Sequence, residues 1–224
     1  MLKHIFASST LLTDSQYELM CTTGRIIEQD ARGPKVIILE NGNFLKIFRV
    51  RHRFSGARIY SHARRFNRNA FRLEALNIPT VKVISIHHLE ASGHSLVIYQ
   101  PLAGKSIREL IHTDLENIAK TDTILGHFLA KLHDNGVHFH SLHTGNILFL
   151  PNGQFGLIDI SDMTIYPWPL FCNTRLRSIK RLYKYAQDFE LLGRYFWMNM
   201  LDAYFKKSNI NASCKEKILS LKQT

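Results

Sequence analysis

Apolar residues along this chain change their period several times, and each change marks an element. Ile26 to Asp30 and Lys35 to Leu39 are short β-branched runs separated by the turn Ala31-Arg-Gly-Pro34, and they predict two strands. Asn41-Gly42, a strong two-residue hairpin signal, leads into a third strand over Phe44 to Phe48. From Tyr60 to Leu76 the period lengthens: Ala63, Phe66, Ala70 and Leu73 share one stripe of a helix. Ile78-Pro79 ends it, because the residue before proline is pushed out of the helical region. Val81 to Ile86 and Ser95 to Tyr99 predict two further strands.

After the hinge-like Pro101-Leu-Ala-Gly104 the pattern turns helical. Ser106-Ile-Arg-Glu109 carries a capping-box signature. Thr121 is placed to cap a helix whose apolar face is Leu125, Phe128, Leu129 and Leu132, with Asn135-Gly136 as its left-handed stop. A polar loop follows, then a short strand, a Pro-Asn-Gly turn at Pro151 to Gly153, and a strand ending in Asp159. Leu176, Ile179, Leu182, Ala186 and Phe189 predict one helical stripe within a largely helical tail, Leu176 to Phe205. The expected class is α+β. A small five-stranded antiparallel lobe with one helix would occupy residues 1–101, and a mainly helical lobe residues 102–224.

Composition narrows the setting. At 224 residues and 45% hydrophobic content, the chain is long and apolar enough to bury a sizeable core. Cys21, Cys172 and Cys214 are odd in number, far apart and form no Cys-x-x-Cys pair, which argues against a disulfide framework and a zinc site. Ser8, Ser9, Thr10 and Asp14 interrupt the N-terminus too early for a secretory segment, and no run reaches the ~18 apolar residues of a spanning helix. A cytoplasmic place is expected, either free or peripheral to a membrane.

The net charge of +11 is uneven. Nine Lys or Arg residues and no acid lie between Lys46 and Leu73 (Lys46, Arg49, Arg51, Arg53, Arg58, Arg64, Arg65, Arg68, Arg72), and Arg175 to Lys184 adds five. Each run alone reads as a solvated face; together they favour an anionic partner. Nucleic acid is the weaker choice, because no helix-turn-helix, zinc finger or aromatic RNA-binding strand is present.

The candidate chemistry concentrates in Gly136-Val-His-Phe-His-Ser-Leu-His-Thr-Gly-Asn-Ile-Leu148 and Gly156-Leu-Ile-Asp-Ile-Ser-Asp162. Leu142-His143-Thr144-Gly145-Asn146-Ile147-Leu148 resembles the Asp-Leu-His-x-Gly-Asn-Ile-Leu loop of small-molecule kinases in the protein-kinase-like superfamily. Ser141 stands where that pattern keeps its catalytic Asp. Further matching stretches are Gly33-Pro34-Lys35-Val36, Leu45-Lys46-Ile47-Phe48-Arg49, Ile78-Pro79-Thr80-Val81, Leu102-Ala-Gly-Lys-Ser106, Leu132-His133-Asp134-Asn135-Gly136 and Leu157-Ile-Asp159. From about Ile26 to Asp188 the chain resembles the bacterial lipopolysaccharide-core kinases, especially the toluene-tolerance proteins.

That resemblance implies a protein-kinase-like two-lobe fold, ATP and Mg²⁺ as cofactors, and transfer of the γ-phosphate to a sugar hydroxyl. The acceptor would be an anionic lipid-linked saccharide at the cytosolic face of the inner membrane. Asn146 and Asp159 would be the metal ligands, hard oxygen donors of the kind magnesium takes, with Asp162 assisting. Nucleotide contacts would fall to Lys46, Gly33, Lys35, Asn67 and Tyr99. The resemblance has gaps. The loop Asp30 to Lys35 has one glycine, with Arg32 and Lys35 adding charge, and Lys46 meets no helix Glu before Glu74, leaving Asn67 or Asn69 to brace it. Ser141 orients a hydroxyl but takes no proton at neutral pH, so His140 is the substitute-base candidate. His138, His140 and His143 lack the fourth ligand of a zinc site. A pseudokinase scaffold for envelope assembly remains the alternative, and a basic nucleic-acid-binding protein the second.

Overall fold

The computed structural model describes residues 9–49 and 62–221. Arg51, Arg53 and Arg58 of the basic run, the predicted helix start at Tyr60 and the N-terminal segment before Ser9 lie outside the described residues. The protein is α+β and divides into two compact units, residues 1–75 with 80–102, and residues 76–79 with 103–224.

The first unit contains β1 (Thr10–Leu12), α1 (Asp14–Thr23), β2 (Arg25–Asp30), β3 (Gly33–Ile38), β4 (Phe44–Phe48), α2 (His62–Ala75), β5 (Lys82–Leu89) and β6 (Ser95–Gln100). Its sheet has six strands in the order β1-β5-β6-β4-β3-β2, not five. The extra strand, β1, pairs parallel to β5 through Thr10 with His87 and Leu12 with Leu89; every other pair is antiparallel. The β3–β4 connection is longer than the two-residue turn predicted. Leu39 N donates to Asn43 O at 2.8 Å and Gly42 N to Leu39 O at 2.9 Å, leaving three residues in the loop.

Alternation along β4 explains why this sheet needs a helix on each side. Leu45 and Ile47 join Leu12, Ile37, Leu89 and Leu96 in a buried cluster, on which α1 lays Tyr17, Met20 and Cys21. The opposite side presents Phe44, Lys46 and Phe48 towards α2. There the predicted stripe of Ala63, Phe66, Ala70 and Leu73 is fully buried, with Phe66 ring centroids 5.3 Å from Tyr99 and 6.1 Å from Phe48. Burying Phe66 or Leu73 stabilises the unit by roughly 1.5–3 kcal/mol each, and each alanine by less.

The second unit contains β7 (Lys105–Ser106), α3 (Ile107–Thr113), α4 (Leu115–Ala119), α5 (Asp122–Asp134), β8 (Val137–Phe139), a 3-10 turn (Thr144–Asn146), β9 (Ile147–Phe149), β10 (Phe155–Leu157), β11 (Met163–Ile165), α6 (Cys172–Leu182), α7 (Ala186–Lys207) and α8 (Ala212–Ser220). Its core is α5 on α7. Leu125, Phe128, Leu129 and Leu132 are all buried, and Gly126 lets the helices close, since a Cβ there would lie 2.3 Å from Met200 O. Gly136 ends α5 with φ +72, as its sequence position predicts, and a Cβ would meet Tyr166 O at 2.4 Å. Ser106 Oγ accepts from Glu109 N at 3.1 Å and caps α3.

Three expectations need correction here. Thr121 occupies the N-cap position of α5, but its hydroxyl donates to Ile118 O at 2.7 Å and caps nothing. The stripe from Leu176 to Phe189 is not continuous, because α6 stops at Leu182 and α7 begins at Ala186. Cys172 and Cys214 form a disulfide with Cα atoms 5.7 Å apart, across 42 residues of chain, because α8 packs on α6. No helix among the described residues is long and apolar enough to cross a membrane.

Candidate active site

A short hairpin sets the centre of the site. β9 and β10 pair antiparallel with Ile147 opposite Leu157, and the ladder continues as Ile158 N donates to Asn146 O at 3.1 Å. Asn146 therefore faces Ile158 at the open end of the hairpin, one residue before Asp159. Asp159 has φ +53, and among the described residues only Asn77 shares a positive φ without being glycine. That left-handed backbone, which Asp tolerates better than most residues, turns the chain sharply past β10. Asn146 is buried, and its amide nitrogen donates to Ser141 O at 2.9 Å, which turns its Oδ1 the other way.

This donor pair fits magnesium. The ion prefers hard oxygen ligands and usually takes one or two from the protein. Among the described residues no group of three or more His, Cys, Asp or Glu side chains is arranged for a metal, so an ion here would complete its shell with phosphate and water. His143 serves the turn itself: its Nδ1 accepts from Gly145 N at 3.1 Å. Burial and then the Arg108 charge push its pKa down, against the opposing pull of Asp159 and Asp188.

Ser141, His140 and Asp162 form a second group beside the first. β8 and β11 pair with Phe139 opposite Met163, which carries the flanking residues past one another. His140 N donates to Asp162 O at 3.0 Å, and the Ser141 hydroxyl donates to Asp162 Oδ2 at 3.2 Å. A carboxylate thus touches the very hydroxyl that occupies the Asp position of the motif. His140 Nε2 lies 3.3 Å from the Thr164 hydroxyl, and its ring centroid is 4.1 Å from that of His138. Burial, followed by the charges of His140, Arg181 and Arg177, lowers the His138 pKa to about 4, so that ring is neutral at physiological pH.

A buried network that no local pattern announces holds the 3-10 turn. Arg108 Nε and Nη2 both lie 2.9 Å from Asp188 Oδ2, and Nη2 donates to the Thr144 hydroxyl at 3.2 Å. Thr144 in turn donates to Asp188. The Arg108 guanidinium stands 4.1 Å from the Tyr185 ring centroid, and Tyr185 meets His143 edge-on at 5.2 Å. Partners 80 and 44 residues apart give the sequence no periodic signal to read.

The remaining predicted residues gather in the first unit. Lys46 lies on β4 opposite Val36 and Val97, with its ammonium 5.8 Å from the Phe48 ring centroid. Tyr99 is buried between Phe44 and Phe66, Asn69 is fully buried in α2, and Asn67 is partly so. Gly33 opens β3 with φ +106. Lys35 pairs with Glu28 at 3.3 Å and Asp30 at 3.8 Å, while Arg32 and Arg49 reach Asp30 at 3.4 and 3.1 Å. The Arg32 backbone N–H, then these cations, hold Asp30 below its usual pKa. Solvent screens exposed pairs of this kind, so they hold the β2–β3 turn only weakly.

No family model matches this chain, and no curated protein does. Among solved structures it is similar to the 2.2 Å crystal structure of WbdD, with 15% identity and a TM-score of 0.44 over 86% of this chain and 47% of that one. The chain spans about half the length of that protein. A likeness so distant carries no argument about activity, which rests on the residues themselves.

Proposed function

We propose that this chain is a kinase-like phosphotransferase of the lipopolysaccharide-core type, moving the γ-phosphate of ATP to a sugar hydroxyl at the cytosolic face of the inner membrane. The observation that carries the reading is the Ser141–Asp162 hydrogen bond, with Asn146 bonded to Ser141 O and to Ile158 N, the residue before the left-handed Asp159. Asn146 Oδ1 and the Asp159 carboxylate would hold Mg²⁺, and Lys46 would bind the α- and β-phosphates. When bound, Mg-ATP supplies the phosphoryl group and the cation that neutralises its developing charge.

The protein's own part in the chemistry is to orient the acceptor and remove one proton. Ser141 Oγ accepts a hydrogen bond from the acceptor hydroxyl while donating to Asp162. As the acceptor oxygen bonds to phosphorus and the bond to the ADP oxygen breaks, the proton reaches Asp162 directly or through Ser141, which passes its own proton on. A positioned base contributes about 10²- to 10⁴-fold. Phosphoryl transfer draws most of its acceleration from positioning and charge, so a base reached through a serine gives a slow enzyme rather than none.

Transfer of labelled γ-phosphate to lipopolysaccharide-core acceptors tests this reading. Asp162→Asn is expected to lower the rate about 10²-fold, and His140→Ala to change it far less. Should His140→Ala be the damaging change, His140 is the base. Ser141→Asp should raise the rate by restoring a direct carboxylate. If the parent phosphorylates no such acceptor while still binding Mg-ATP, the pseudokinase reading, which Ser141 itself favours, replaces this one.

A further inference from the structure

Helix α6 carries two kinds of cation. Arg175 is fully buried and fully engaged: Nε donates to Leu170 O at 2.7 Å, Nη1 to the Tyr204 hydroxyl at 3.1 Å, and Nη2 to Asp134 Oδ1 at 2.7 Å. Its neighbours behave differently. Arg177, Lys180, Arg181 and Lys184, together with Tyr183 and Leu221, line a cavity of about 570 Å³. Among the described residues no carboxylate lines it, and none of these four cations forms an ion pair or a side-chain hydrogen bond. Arg181 Nη1 is buried with no partner at all.

Such an arrangement is costly if left empty. Like charges repel across one cavity, and a buried donor without an acceptor is destabilising, the more so when it is charged. Structural arginines avoid that cost as Arg175 does. The cavity volume falls within the ~300–1,000 Å³ of small-ligand sites. Tyr183 adds a phenol whose pKa burial raises, so it stays a neutral hydrogen-bonding group. The charges of Arg177 and Arg181 are also felt at His138, whose ring touches that of His140, the residue before Ser141.

We infer that this cavity is an anion subsite that takes a phosphate-type group carried on a sugar-sized molecule. Guanidinium forks at Arg177 and Arg181 would grip its oxygens, with Lys180 and Lys184 balancing the second charge. Assigning the anion to the acceptor rests on the proposed phosphotransferase reading; the existence of the subsite does not. That separation allows the two to fail independently.

The full chain, free of nucleotide and Mg²⁺, is titrated with pyrophosphate, glucose 6-phosphate and glucose while tryptophan emission is followed. Trp197 is a built-in reporter, since its ring meets Tyr183 edge-on at 5.3 Å. Both phosphate compounds should give saturable changes and glucose none. Arg177→Gln with Arg181→Gln should weaken binding at least about tenfold, the loss of one to two charge-assisted hydrogen bonds. If that variant fails to fold, Lys180→Gln with Lys184→Gln, both at exposed side chains, carries the same test. Equal binding by parent and variants overturns the inference. A response to phosphatidylglycerol vesicles but not to the small phosphates also overturns it, as it would mark a lipid-adsorbing face. Intact phosphate binding without any phosphotransfer leaves the subsite standing and refutes only the enzymatic reading.

Discussion

Asp188→Ala removes the shared acceptor of the network beneath the site, and the structure sets the size of its effect. Asp188 keeps 6% of its side-chain exposure and accepts from Arg108 twice and from Thr144 once. Breaking a buried pair from one side costs about 3–5 kcal/mol, because the other charge is left without a partner. Arg108 retains 34% exposure and its contact with Tyr185, so water recovers part of that loss. The expected cost is about 2–3 kcal/mol. Both tryptophans, Trp168 and Trp197, belong to the second unit, so urea unfolding followed by tryptophan emission reads this unit alone. With a slope of about 1–3 kcal/mol per molar urea, the midpoint should fall by about 1 M. A double-mutant cycle with Arg108→Met should show coupling of at least about 1 kcal/mol, little changed by salt. Additive effects within about 0.5 kcal/mol would refute the network as a stabilising unit.

Three further outcomes follow from single features. Reducing Cys172–Cys214, or changing Cys172 to Ser, should lower the same midpoint by the equivalent of about 2–4 kcal/mol, as expected for a closed loop of 42 residues; an unchanged midpoint with both thiols titrated as free would contradict it. His133 is fully buried between Tyr204 and Ser178, with burial and the Arg175 charge lowering its pKa from 6.5 to about 3. The unfolded chain therefore binds a proton that the folded one refuses, so stability is complete above pH 6.5 and falls as pH drops towards 3, by about 2–3 kcal/mol at pH 4.5; acid titration of the urea midpoint checks this, and a flat profile would contradict it. Asp159→Gly should leave stability level or slightly higher while Asp159→Ala costs about 1 kcal/mol, since alanine pays for the left-handed backbone and glycine does not; equal midpoints would deny that conformation.

Periodicity explains which parts of this fold were legible. The α2 stripe and the α5 face repeat every three to four residues, so burial wrote them into the sequence directly. β1 is only three residues long and pairs with a strand 77 positions away, leaving no local alternation to detect. A signal for α1 was present but faint: Thr13 and Gln16 make a reciprocal capping box, with Gln16 N donating to Thr13 Oγ1 at 3.3 Å. The hairpin that links Asn146 to Asp159 was legible because its strands and Pro-Asn-Gly turn lie in one short stretch of sequence. The motif offers Asp162 only as a helper for the metal, and its hydrogen bond to Ser141 depends on β8–β11 pairing that motif spacing does not encode. Arg108 and Asp188 were silent for the same reason as the disulfide, because each gains meaning only from a distant partner.

The claim that Asn146 and Asp159 build a magnesium–nucleotide site is tested most directly by thermal unfolding with ATP, with and without Mg²⁺, in the parent and in Asp159→Ala. A ligand at about 100 times its Kd stabilises by about 2.7 kcal/mol, which for a chain of this size raises Tm by about 5–11 °C. The account predicts a shift of that order for the parent with Mg-ATP, a much smaller one without Mg²⁺, and none that depends on Mg²⁺ in Asp159→Ala. No shift at saturating Mg-ATP, or an equal shift in both proteins, would contradict it.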